Sequence, residues 1–244
     1  MFSGEDIIKR RKIMKKVVLF ILALTLLLAV TVSAHETYVA KEGAAFVIMH
    51  GHHGKSDPYN PQLMKAVKAF DASGKGIAVT RKPQANKLTL TFAQDPALVE
   101  FVYDTGPRVK TPEGWKSMSK REAKGLEARK WVKCVKQINQ WNKRFGHPLG
   151  GKMEIVPGKN PLALKVGDKL PFQVLYNGKP LAGATVSAAG VKRNTLKTDA
   201  HGRAVVVIKK SGLNTVGASQ NTPTPKDPDA DVLGEIATLV FKVK

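Results

Sequence analysis

Short apolar runs separated by turn residues fill the chain after residue 36 and predict strands. Thr37-Tyr38-Val39-Ala40 and Ala45-Phe46-Val47-Ile48-Met49 have strand length, and Lys75–Arg81, Lys87–Phe92 and Ala97–Asp104 run or alternate between turn residues. Leu88, Leu90 and Phe92 fall on one face of a period-two strand. Pro61–Phe70 reads as a strand or a short helix, the strand being favoured, leading to the turn Asp71-Ala72-Ser73-Gly74-Lys75-Gly76. The pattern changes at 116–145, where Leu126, Lys130, Trp131, Cys134, Val135, Ile138, Trp141 and Phe145 recur mostly at three- and four-residue steps. That spacing predicts an amphipathic helix near 119–144, stopped by Gly146 and His147-Pro148. Trp131, Lys133 and Val135 also alternate, so a strand is the alternative.

Gly150-Gly151, followed by Pro157 and Pro161, marks the expected domain boundary. Beyond it the pattern is β throughout. Leu170–Tyr176 leads into Asn177-Gly178, a strong hairpin signal. Ala184–Ala188, Arg203–Lys209, Leu213–Ser219 and Glu235–Val243 follow at sandwich-like spacing. The expected fold is therefore mainly β, with two immunoglobulin-like β-sandwich domains at 35–150 and 151–244 and a helix near 119–144.

The first 34 residues read as an address. Lys9-Arg10-Arg11-Lys12 and Lys15-Lys16 precede an apolar run over Val17–Val32, and Val32-Ser33-Ala34 closes it with small residues. This is the layout of a secretory signal cleaved after Ala34, with Met14 as an alternative start. A retained membrane anchor is the other reading. The 34 residues hold six of the 40 basic and two of the 19 acidic side chains, so the charge falls from +21 to +17 on cleavage. A basic protein exported to the periplasm is expected to meet anionic cell-envelope surfaces and not nucleic acid. The lysines are spread along the chain, so a solvated basic surface explains the charge equally well. One cysteine excludes an intrachain disulfide, an all-thiolate zinc site and a CxxC motif.

Three of the six histidines stand together as His50-Gly51-His52-His53 at the end of an apolar run. On an extended backbone His50 and His52 share a face and His53 takes the other. Cleavage after Ala34 would make His35 the N-terminus, where its α-amino nitrogen and Nδ1 can chelate one metal ion together. His35, His50, His52 and His53 are the candidate metal ligands, and their nitrogens suit Ni²⁺ or Co²⁺, with Cu²⁺ the strongest competitor. His147 could join only if the fold brings it near, and His201 reads as a turn residue in Asp199-Ala200-His201-Gly202. Other patterns fail. Gly54-Lys55-Ser56 lacks the upstream glycine of a phosphate loop, since Met49 stands there. Asp227, Asp229 and Asp231 begin like a calcium loop, but Val232 and Thr238 replace its required glycine and glutamate. Cys134 sits on the apolar side of the expected helix and reads as buried, not nucleophilic.

The order of features resembles the bacterial nickel-transport-complex, or NikM-like, family of secreted proteins of unknown function. The likeness is carried by His35-Glu36 after the signal, Gly51-His52 with Tyr59 downstream, and Lys110-Thr111-Pro112-Glu113-Gly114-Trp115. It continues through His147-Pro148-Leu149-Gly150-Gly151-Lys152-Met153-Glu154-Ile155-Val156-Pro157 with Asn160-Pro161 behind, Gly178–Ala184 and Thr198–Ala204. The resemblance implies a periplasmic protein of two β-sandwich-like domains, tied to nickel or cobalt uptake, with His35 and His52 as ligands and a membrane metal transporter component as partner. The expectation is a metal-binding accessory protein and not an enzyme. Two rivals are a non-metal scaffold or adhesion module and a copper enzyme built on a terminal histidine.

Overall fold

The computed structural model describes residues 36–52, 54–123 and 126–244, with the side chain of His52 left aside. His35–Lys244 forms a compact unit of its own. The first half holds β1 (Glu36–Glu42), β2 (Ala45–His52), β3 (Lys55–Ser56), β4 (Met64–Phe70), β5 (Gly76–Ile77), β6 (Val79–Pro83), β7 (Leu88–Phe92), β8 (Leu98–Thr111), β9 (Gly114–Ser117) and β10 (Ala128–Ile138). After Gly150-Gly151 come β11 (Met153–Pro157), β12 (Lys169–Tyr176), β13 (Lys179–Pro180), β14 (Thr185–Ala188), β15 (Leu196–Lys197), β16 (Arg203–Val207), β17 (Gly212–Pro223) and β18 (Val232–Val243). The fold is mainly β, as the apolar runs predict. Among the described residues no helix is long and apolar enough to cross a membrane.

The strands form three sheets. One runs β1-β2-β7-β6 with β3 on β2, and another joins β11-β12-β13 with β16 on β12. The largest runs β15-β14-β17-β18-β10-β8-β4-β5, with β9 paired to β8. It contains strands from both sides of Gly150-Gly151, joined where β10 pairs with β18 in parallel, Arg129 against Val232 through Ile138 against Phe241. The alternation of side chains across a strand gives this sheet two buried faces. Val99, Phe101, Tyr103, Val135 and Val240 face the β1-β2 sheet and pack with Val39, Ile48, Met64, Leu88 and Leu90. Leu98, Ile138, Leu239 and Phe241 face the other way and pack with Met153, Ile155, Leu170, Phe172 and Val174. Two sandwich cores are thus built on opposite faces of one shared sheet.

The helix expected near 119–144 is not formed. Residues 128–138 are strand β10, and among the described residues there the helical turn is the 3-10 turn Lys143–Gly146, capped by the Asn142 side chain accepting from the Arg144 N–H at 2.8 Å. The reason is burial on both faces. Val135 faces one core while Cys134 and Ile138 face the other, so apolar residues occur at both parities and imitate a helical step. The alternating Trp131, Lys133 and Val135 carried the true signal.

Polar residues on so enclosed a strand must find partners. Gln137 is buried, and its side chain accepts from the Val39 N–H at 2.7 Å and donates to the Val39 carbonyl at 2.9 Å. It stands in for a neighbouring peptide unit along the outer edge of β1, which among the described strands pairs with β2 alone. Replacing Gln137 with Leu leaves both Val39 groups buried without partners, at an expected cost of about 2 kcal/mol or more in chemical unfolding. An unchanged midpoint would mean that apolar packing alone holds β1.

Candidate functional site

β2 carries its core-facing residues in steps of two: Phe46, Ile48, then His50. The first two pack in the core, and the third brings an imidazole onto the same side at the end of the strand. The His50 ring meets Tyr103 edge-on with centroids 4.7 Å apart, and Tyr59 lies 6.2 Å away. Cross-strand register places Thr37 of β1 opposite His50, and Thr37 Oγ1 lies 2.8 Å from His50 Nδ1. Thr37 is itself buried. With Nδ1 so engaged, coordination by this ring would go through Nε2, the arrangement in which an outer partner fixes a ligating imidazole. The donor chemistry therefore fits a borderline metal ion.

The hairpin that follows is drawn close. The Asp57 N–H donates to the His50 carbonyl at 2.8 Å, and the His50 N–H donates to Ser56 Oγ at 3.1 Å. A Cβ on Gly51 would land on the Lys55 carbonyl oxygen and 2.9 Å from the Asp57 nitrogen. Glycine at 51 is thus required by the fold of the histidine segment. Tyr59 ties the same region down, donating to the Ile48 carbonyl at 2.7 Å and accepting from the Leu88 N–H at 2.8 Å. Burial pushes its phenol up to about 12, so it remains a proton donor at ordinary pH.

Of the sequence candidates, His50 is placed in this setting. His35, His53 and the side chain of His52 lie outside the described residues. Among the described residues no three His, Cys, Asp or Glu side chains gather as a metal site. β1 begins at Glu36, the residue after His35, and Glu36 pairs with Gly51, the residue before His52. His147 is exposed and its N–H donates to the Arg144 carbonyl, closing the 3-10 turn. His201 is a turn residue, its N–H held by Asp199 Oδ1 at 2.9 Å. Asp229 and Asp231 pair with Arg121 and Lys120. Cys134 is partly buried, and burial raises its thiol.

Sequence reasoning missed Thr37, Tyr103 and Lys133. Lys133 pairs in register with Tyr103 and holds its ammonium 5.9 Å from that ring's centroid. Burial first, and the Arg108 charge second, push Lys133 down to about 8. A second polar group was missed on the sheet's other face, where Lys136 pairs with Glu154 and lies 3.9 Å from Glu100. Glu154 also accepts from the Leu149 N–H at 2.8 Å, and a pocket of about 200 Å³ opens beside the group. A lysine inside a strand looks like a solvent-facing residue in sequence, so neither site announced itself.

Residues 30–222 match the model of a family described as a domain of unknown function, DUF4198. No curated protein matches the chain.

Two outcomes are expected. Gly51→Ala should destabilise the protein by about 2 kcal/mol in thermal or chemical unfolding, through the clash with the Lys55 carbonyl. Lys133 is held below its ordinary 10.5, so between pH 8 and 10.5 the unfolded chain binds the extra proton and stability rises with pH. Lys133→Met should be more stable than the parent at pH 7, and should show less of that rise in unfolding midpoints measured from pH 7 to 10.5.

Proposed function

This chain belongs to the DUF4198 family, and on that footing we propose that it is a periplasmic metal-binding accessory protein serving nickel or cobalt uptake. The metal ion is its cargo. His35, exposed as the N-terminus by cleavage after Ala34, would chelate through its amine and ring, with His50, His52 and His53 as the imidazole donors beside it. A membrane metal transporter component would receive the ion, and the basic surface would keep the protein close to the anionic cell envelope.

The observation that supports this reading is the oriented imidazole of His50. Thr37 holds its Nδ1 on the strand whose first described residue follows His35, against the strand that ends in the histidine cluster. A buried hydroxyl opposite a half-buried histidine is what a preset ligand needs, because the ring is oriented before the ion arrives. Amine and imidazole nitrogens suit Ni²⁺ and Co²⁺ and bind Cu²⁺ more tightly still, so metal supply would decide among them.

Calorimetric titration of Ni²⁺, Co²⁺ and Cu²⁺ tests the proposal on the chain beginning at His35, beside a control with one extra alanine before it. Tight binding by the first and loss in the second are expected. Thr37→Val should lower the affinity by about tenfold or more while the fold persists. Equal binding by the control would move the site to His50, His52 and His53 alone. No binding by either chain would overturn the metal reading in favour of a basic scaffold.

A further inference from the structure

We propose that Lys133 and Arg108 form a binding site for a small oxyanion carrying two or more negative charges, a phosphate group or a polycarboxylate. Register puts the two on one face of the shared sheet. Tyr103 lies opposite Lys133 and Arg108 opposite Arg129, while β10 runs from 129 to 133 without interruption against β18. Residues directly opposite share a face, and positions 129 and 133 are an even step apart. The β8–β10 register shifts between Lys130 and Val132, and the extra residue falls on β8 beside Gly106, whose φ is +65°. That bulge returns Arg108 to the face of Tyr103.

The charges on this face are not balanced. Several neighbouring cations have acids: Arg129, opposite Arg108, has Glu127, Lys136 has Glu154, Lys152 has Glu235 at 2.7 Å, and Lys130 has Asp104 at 3.7 Å. Lys133 and Arg108 form no ion pair with a described carboxylate, and what acts on the Lys133 charge is burial and the like charge of Arg108. Arg108 donates through Nη2 to the Trp115 carbonyl at 2.8 Å, yet its Nε is buried with no hydrogen-bond partner among the described residues. A buried donor with no acceptor among the described residues, on the same face as a desolvated ammonium set against an aromatic ring, suits an anion. An oxyanion would accept from Arg108 Nε and from the Lys133 ammonium together, and would turn their repulsion into two charge-assisted hydrogen bonds. A doubly charged anion matches the two cations. The proposal does not rest on metal binding, because neither residue is among the candidate ligands.

The test uses metal-free protein beginning at His35, titrated calorimetrically at pH 7 with inorganic phosphate and, separately, with citrate, at ionic strength fixed by chloride. The expected result is one anion bound per chain, with affinity reduced about tenfold or more in Lys133→Met and in Arg108→Gln and unchanged in Lys192→Gln. Lys192 lies on the exposed surface and loses the same charge. Phosphate without citrate would identify a phosphate group as the ligand, and citrate without phosphate a polycarboxylate. Lys133→Met removes a desolvated charge and should stay folded, so unfolding midpoints give a second readout, with phosphate or citrate raising the parent's midpoint more than this variant's. No binding above the chloride background, or equal losses in all three variants, would overturn the site.

Discussion

The parallel seam between β10 and β18 joins chain segments about a hundred residues apart and encloses β10 on both faces. The polar residues at its buried C-terminal end, Lys136 and Gln137, then need partners from elements packed on either face, because water cannot supply them. Gln137 takes the edge of β1. Lys136 takes Glu154, with Glu100 beyond it. Burial and the neighbouring Glu154 raise the Glu100 carboxyl, against the pull of Lys136 and Lys68. A buried pair of this kind adds little net stability over apolar residues, but removing one partner leaves the other charge stranded. What such pairs give is register, since neither sheet can slide on the shared one without separating them.

The histidine site inherits its geometry from that arrangement. Gln137 fixes Val39, and two residues earlier on β1 Thr37 meets His50. Two residues beyond Ile48, whose side chain is wholly buried, β2 presents that same His50. Tyr59 ties β2 to β7 from below. The imidazole is therefore positioned by the core and not by its own loop, and this favours a ligand whose direction is set in advance. The same sheet face continues past Tyr103 to Lys133 and Arg108, so the His50 imidazole and the Lys133 ammonium share one tyrosine ring as a wall.

Strand-by-strand, much of this was legible in the chain. Leu88, Leu90 and Phe92 announce β7 by period two, Asn177-Gly178 announces the turn after β12, and the apolar run before His50 announces β2. The histidine cluster was equally visible, because His50-Gly51-His52-His53 is dense in a histidine-poor sequence. The stretch around 128–138 favours a helix in sequence, and its strand shows only as the alternative in Trp131, Lys133 and Val135. Its apolar residues serve two cores, and a strand buried on both sides loses the alternation by which strands are recognised.

The sequence by itself determined the local grammar: which segments are extended, where the turns fall, and that imidazoles gather at the end of β2. Those properties depend on side chains within a few residues of one another. Only the tertiary structure decided that both sandwich cores share one sheet, that Thr37 holds His50, that Gln137 closes the edge of β1, and that Lys133 and Arg108 stand on one face, neither paired with a described carboxylate. Each of these depends on register between distant strands or on burial, and composition and spacing carry neither. A lysine in a strand is written the same way whether it meets water, a carboxylate or a tyrosine ring, and its chemistry is set by what the fold packs against it.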